Sequence, residues 1–114
     1  MSAHRYFLYR QVTDMRKGFD GLSGLVNNEL NRDPQSGDVF LFMNRKRDRL
    51  KVLFWEGDGY AIYYKRLEVG TYELPDSQSD SIQLKADELQ LLLSGIQLST
   101  IQRRKRYTNK KNSI

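Results

Sequence analysis

Three strand-like runs, DVFLFMN (38–44), LKVLFWE (50–56) and GYAIYYKRL (59–67), follow one another with only short polar connections between them. Each is rich in aliphatic and aromatic residues, and their alternation is that of strands rather than helices. EGDG (56–59) forms a tight turn before the third run, so the three make an antiparallel meander. In the middle strand, alternation puts Leu50, Val52 and Phe54 on one face and Lys51, Leu53 and Trp55 on the other. Both faces are largely apolar. A sheet of this kind needs cover on both sides.

One side can be covered by a first helix, and the other needs a second helix, a loop or another protein molecule. Met15, Phe19, Leu22, Val26 and Leu30 recur every three or four residues, which predicts a helix with one stripe facing a core. Thr13 or Asp14 is placed to cap it, and NRDPQSGD (31–38) ends it. Gly18, Gly21 and Gly24 interrupt this helix, which points to close backbone approach or to a loosely wound first turn. A second helix is expected in ADELQLLLSG (86–95), with Leu89, Leu92, Leu93 and Ile96 on its stripe and acids in its first turn. RYFLYR (5–10) reads as a short strand able to extend the meander at its edge, TYELPDSQSDS (71–81) as a polar loop and IQL (82–84) as a short strand. The expected fold is α+β: a small antiparallel sheet packed with one or two helices. Residues 1–102 form one domain in this reading, and 103–114 form a basic tail, mobile until bound.

Several function classes are disfavoured early. The chain has no cysteine, which removes disulfides, thiolate catalysis and thiolate-bound zinc. Its one histidine, His4, lies near the N-terminus, so a metal site would have to be built from carboxylates alone. Asp14, Asp20, Asp38, Asp48 and Asp58 sit where turns and caps usually use acids, and no catalytic residue is assigned. The glycines of GFDGLSG match neither dinucleotide-binding nor P-loop spacing. No cofactor or metal is expected. No apolar run is long enough to span a bilayer, and MSAHRYFLYR is too polar for a signal peptide, so the expected location is the cytoplasm.

The charge is more telling once divided. Of 19 basic and 14 acidic residues, six bases and no acid lie in 103–114, leaving 13 against 14 in residues 1–102. The stretch 45–51 holds five of those 13 bases and one acid. Cations are therefore gathered at two places on an acidic body, as suits a polyanionic partner. The first is the hairpin turn with Arg45, Lys46, Arg47, Arg49 and Lys51. The second is the tail with Arg103, Arg104, Lys105 and Arg106, followed by Lys110 and Lys111. A ribbon with a basic tip is a shape that can enter or straddle a DNA groove. Basic strand ends also serve simply to prevent edge aggregation. Arg16 and Lys17 open the first predicted helix, where positive charge opposes the helix dipole, and suit either an anion contact or an ion pair with Asp14 or Asp20.

Three segments together carry a resemblance: TDMRKGFDGL; GDVFLFMNRKRDRLKVLFWEGDGYAIYYKRLEVGTYELP; and LLLSGIQLSTIQRRKRY. The chain resembles the TnpB accessory proteins of the bacterial insertion-sequence family numbered sixty-six, from about Tyr6 to Tyr107. These are small second-reading-frame products, unrelated to the RNA-guided nucleases of the same name. The resemblance implies a helper in transposition, working beside a separate, larger transposase that carries the catalytic acids. It supplies no catalytic residue. Its basic motif falls on Arg45, Lys46, Arg47, Asp48, Arg49 and Lys51, and its helix-opening motif on Asp14, Met15, Arg16 and Lys17.

Three readings follow. In the first, a non-catalytic accessory protein binds DNA, at element ends or target, through the turn and tail, and is nucleoid-associated when bound. In the second, Trp55, Tyr60 and Tyr63 dock the transposase of the same element or another copy of the chain, as aromatic residues do at protein interfaces. The third is a carboxylate-only metal nuclease, the least supported of the three.

Overall fold

A computed structural model describes residues 4–94. Its elements are β1 (Tyr6–Tyr9), α1 (Phe19–Asn28), β2 (Val39–Met43), β3 (Arg49–Trp55), β4 (Tyr60–Arg66), β5 (Ser81–Leu84) and α2 (Ala86–Ser94). The meander is present: β2 pairs antiparallel with β3, and β3 with β4. The five strands form one mixed sheet in the order β4-β3-β2-β1-β5. The first strand is not an edge strand, as the sequence reading allowed. It lies inside the sheet, parallel to β2 and antiparallel to β5. A parallel neighbour requires a crossover, and α1 supplies it.

Period-two alternation sorts the side chains into two cores. On one face Phe7, Tyr9, Phe40, Phe42 and Leu53 pack with Leu22, Val26 and Leu30 from α1 and its C-terminal exit. Here the Phe7 and Phe40 rings stack at 5.8 Å and Tyr9 meets Phe42 edge-on at 6.1 Å. On the other face Leu8, Leu41, Met43, Leu50, Val52 and Leu84 pack with Leu92 of α2 and with Leu67 and Tyr72. Fully burying each such side chain contributes about 1.5–3 kcal/mol. The predicted split of β3 holds: Leu50, Val52 and Phe54 face α2, while Leu53 faces α1. Leu89, Leu92 and Leu93 form the expected stripe of α2, whereas Gly95, Ile96 and the basic tail lie outside the described residues.

The first helix departs from expectation at its start. It begins at Phe19, with Gly18 at the N-cap and no side-chain capping bond, so neither Thr13 nor Asp14 caps it. Residues 14–17 form a separate turn in which the Lys17 N–H donates to the Asp14 carbonyl at 3.1 Å. Phe19 is half exposed instead of lying on the core stripe, while Met15 reaches the core from the turn. Close approach of another backbone explains none of the three glycines, and only Gly21 is crowded, by a side chain. A Cβ on Gly21 would meet Lys17 Cβ and Cγ at 3.0 Å, whereas Gly18 and Gly24 have open space around them. At the far end Asn31, with φ of 55°, reverses the chain in a conformation that Asn tolerates better than most residues.

Candidate nucleic-acid interface

The basic turn between β2 and β3 is built around Asn44. Its side-chain oxygen accepts from the Asp48 N–H at 3.1 Å and the Arg49 N–H at 3.0 Å, and its amide donates to Asp48 Oδ1 at 2.7 Å. The Arg47 N–H closes the turn on the Asn44 carbonyl at 3.1 Å, and Arg47 takes a left-handed φ of 58°. Two further bonds brace the turn from the β4–β5 connection. The Leu67 N–H donates to the Asp48 carbonyl and the Tyr72 N–H to the Arg47 carbonyl, both at 2.7 Å. This connection crosses from one edge of the sheet to the other, and Leu67 and Tyr72 anchor it in the core beneath α2.

Asp48 is the one acid in this turn, and Asn44 engages it. Its carboxyl is held below the usual range, first by the Asn44 hydrogen bond and then by the nearby charges of Arg49 and Lys46. Arg45, Lys46 and Arg47 are exposed and make no salt bridge among the described residues. A braced backbone thus presents three cations to solvent.

Lys51 has a different position. It is buried, and its ammonium donates at 2.8 Å to both the Met15 and Lys17 carbonyls while lying 4.8 Å from the centre of the Tyr64 ring. A helix beginning near Asp14 would turn these two carbonyls toward the N–H groups of Phe19 and Gly21. Lys51 holds them instead, which accounts for the late start of α1. The first backbone bond of the helix that follows runs from Leu22 to Gly18 at 2.9 Å. A residue that sequence reading placed among the surface cations is thus the clasp between the two motifs.

The same contact brings the Met15–Lys17 segment onto the α1 side of the sheet. Arg16 forms the ion pair with Asp14, its Nη2 donating to Oδ2 at 2.6 Å, and this holds the exposed Asp14 carboxyl down at about 2. Arg49 Nη1 donates to the Tyr64 hydroxyl at 3.1 Å. Directly across the ladder from Arg49 stands Arg66, whose Nε reaches Glu68 at 2.9 Å. Sequence reading missed Asn44, Tyr64 and Arg66. For Tyr64 the signal was available, since the β3–β4 register through EGDG sets it opposite Lys51.

The three aromatics expected to act together do not share a face. Trp55 and Tyr60 are half-buried on the α1 side and meet edge-on at 5.0 Å. Tyr63, paired with Val52, points to the α2 side and is exposed. Arg103, Arg104, Lys105 and Arg106 lie outside the described residues. Among the described residues no three His, Asp or Glu side chains are placed to share a metal ion. His4 is engaged locally, with its Nδ1 donating to the Gly37 carbonyl at 2.7 Å. No helix among the described residues is long and apolar enough to cross a membrane.

No solved structure matches this chain. Among curated proteins it is similar to two from Sinorhizobium fredii. The uncharacterized protein y4jC is 32% identical over 100 residues, covering 88% of this chain and 86% of that protein. The uncharacterized protein y4hO is 37% identical over 84 residues, covering 74% and 73% respectively. Residues 4–103, which hold the helix-opening motif, the basic turn and every element of the sheet, match the family described as IS66 Orf2 like protein, and the chain belongs to that family of transposition-associated accessory proteins.

Proposed function

We propose that this protein assists transposition without catalysing it, by binding DNA at the element ends or the target through the turn at Arg45, Lys46, Arg47 and Arg49. The observation that carries this reading is the braced turn. Three exposed cations stand on a backbone held by Asn44, Leu67 and Tyr72, and the one acid nearby is engaged by Asn44. A fixed presentation lowers the ordering cost of gripping phosphates. Arg16, Lys17 and the tail cations Arg103, Arg104, Lys105 and Arg106 would add sequence-independent contacts. Lys51 is left out, because its ammonium already has two carbonyl partners. The partners in this reading are bacterial DNA and the transposase of the same element, in the cytoplasm at the nucleoid, with no cofactor.

The test is DNA affinity as a function of salt. Each phosphate contact contributes a slope of about 0.9 in log K against log salt, so neutralising the four cations of the turn should lower the slope by about 3.6. Replacing Arg45, Lys46, Arg47 and Arg49 together by glutamine should abolish retention on a DNA column at moderate salt and leave the fold intact. Full retention by this variant sinks the assignment.

The adaptor reading keeps one supporting observation, the exposed Tyr63 on the α2 side. Salt-resistant capture of the transposase, lost on Tyr63→Ala, would favour it. Trp55 and Tyr60 sit on the opposite face and would belong to a separate contact.

A further inference from the structure

The α1 side of the β3–β4 pair holds an arrangement that stability alone does not explain. Arg49 and Arg66 stand directly opposite each other in the ladder, a placement that disfavours folding because like charges are brought together. Arg66 has Glu68 as a partner, but both side chains are more than half exposed, where such pairs contribute little. Arg49 has no carboxylate within salt-bridge distance among the described residues. Its guanidinium instead donates to the hydroxyl of Tyr64, the ring diagonal to it.

Tyr64 is itself unusual. It is 47% exposed, yet it is held at two points, by Arg49 at the hydroxyl and by the Lys51 ammonium 4.8 Å from the ring centre. An exposed tyrosine ordinarily samples several rotamers, whereas this one is tethered by the Arg49 guanidinium and the Lys51 ammonium. Phe19, also half exposed, opens α1 just after the segment that Lys51 clasps.

We infer that Tyr64, with Arg49 and Arg66, is a binding site for unpaired nucleotides: a base stacks on the exposed Tyr64 ring and its phosphate lies against the two guanidinium groups. An immobilised aromatic surface flanked by cations fits single-stranded DNA, because every base has a π-face and stacking requires that face to be free. In a duplex those faces are already stacked on neighbouring base pairs. This inference rests on the DNA-binding reading and adds the form of DNA preferred: a strand exposed by melting or nicking.

The experiment measures fluorescence anisotropy of the full chain with a labelled oligothymidylate and with a duplex of equal length, at one low salt concentration. Tyr64→Leu should weaken single-strand binding about tenfold and duplex binding less than about twofold. Tyr64→Phe, which keeps the ring but loses the Arg49 anchor at the hydroxyl, should bind the single strand with an affinity between those of wild type and Tyr64→Leu. Equal losses on the two DNAs, or no loss on the single strand, would overturn the inference. A second measurement uses the wild type alone. Photocrosslinking to an oligonucleotide carrying 5-iodouracil should label the 60–66 peptide, and labelling confined to other peptides would overturn the site even if Tyr64→Leu does not fold. Wild-type protein that binds neither DNA would remove the DNA-binding reading itself. Duplex binding that is lost on neutralising the turn, with single-strand binding indifferent to Tyr64, would remove only this inference.

Discussion

The two ends of the sheet use the same residue types in opposite ways. At the end where β1 begins, the cations are held by their own chain. Arg5 makes two hydrogen bonds to Asp38, at 3.1 and 2.8 Å, and Arg32 lies 3.8 Å over the Phe7 ring. At the other end, Arg45, Lys46 and Arg47 face solvent while Asn44 engages their one neighbouring acid. Lys51 crosses the division: it belongs by sequence to the basic turn and by contact to the protein interior. A count of positive charge cannot separate these fates. What separates them is the strand parity of each residue and whether a carbonyl or carboxylate lies within reach.

The largest effect should come from the residue that crosses the division. Lys51→Met keeps the apolar stem but leaves the Met15 and Lys17 carbonyls without their shared donor. Unfolding in denaturant should show a loss of about 2–4 kcal/mol, since the two lost bonds come from a charged donor in a buried place. Arg45→Gln, in the same motif, should stay within about 0.5 kcal/mol of wild type. Equal effects from the two would erase the distinction between inward and outward cations.

That contrast also marks how far the sequence could be read. The β2–β4 meander and its two apolar faces follow from alternation alone, because each strand carries its own period. The helix start did not follow. Met15 and Phe19 have helical spacing, and only the tertiary contact from Lys51, more than thirty residues later, turns the 15–17 carbonyls away from a helix. The interior position of β1 was hidden for a similar reason. A four-residue strand carries no signal of its neighbours, and its parallel pairing depends on α1 crossing over the sheet. The split of Trp55 and Tyr60 from Tyr63 was legible, since EGDG fixes the β3–β4 register, but grouping by residue type obscured it.

A medium effect should come from the brace. Asn44→Ala removes the acceptor for two backbone N–H groups and the donor to Asp48. The expected cost is about 1–2 kcal/mol, because the site is only partly buried and water can replace some of these bonds. The Asp48 carboxyl should move back up toward its ordinary value, which an NMR titration would follow. In the DNA-binding reading the variant keeps every cation, so the salt slope should stay that of wild type while affinity falls. A reduced slope would mean that Asn44 acts through charge placement rather than rigidity.

The smallest effect tests the paired end, and it has a pH signature. Burial alone would raise the Asp38 carboxyl, but the Arg5 hydrogen bonds and charge outweigh it and hold the group below its usual value. A carboxyl lower in the folded than in the unfolded chain contributes stability above its unfolded value of about 3.9, and this is lost as pH falls through the folded value. Arg5 is half exposed, so the neutral-pH cost of Arg5→Gln should be small, because solvent screens the pair. The gap between wild type and variant should therefore be full at pH 6 and above, and close as the solution is acidified below about pH 4. In the variant, burial no longer has the guanidinium to oppose it, so acid should cost the variant less stability than it costs wild type. Parallel stability curves for the two proteins from neutral to acid pH would mean that Arg5 does not hold Asp38 in its charged form, and the contrast between the two ends would lose one side.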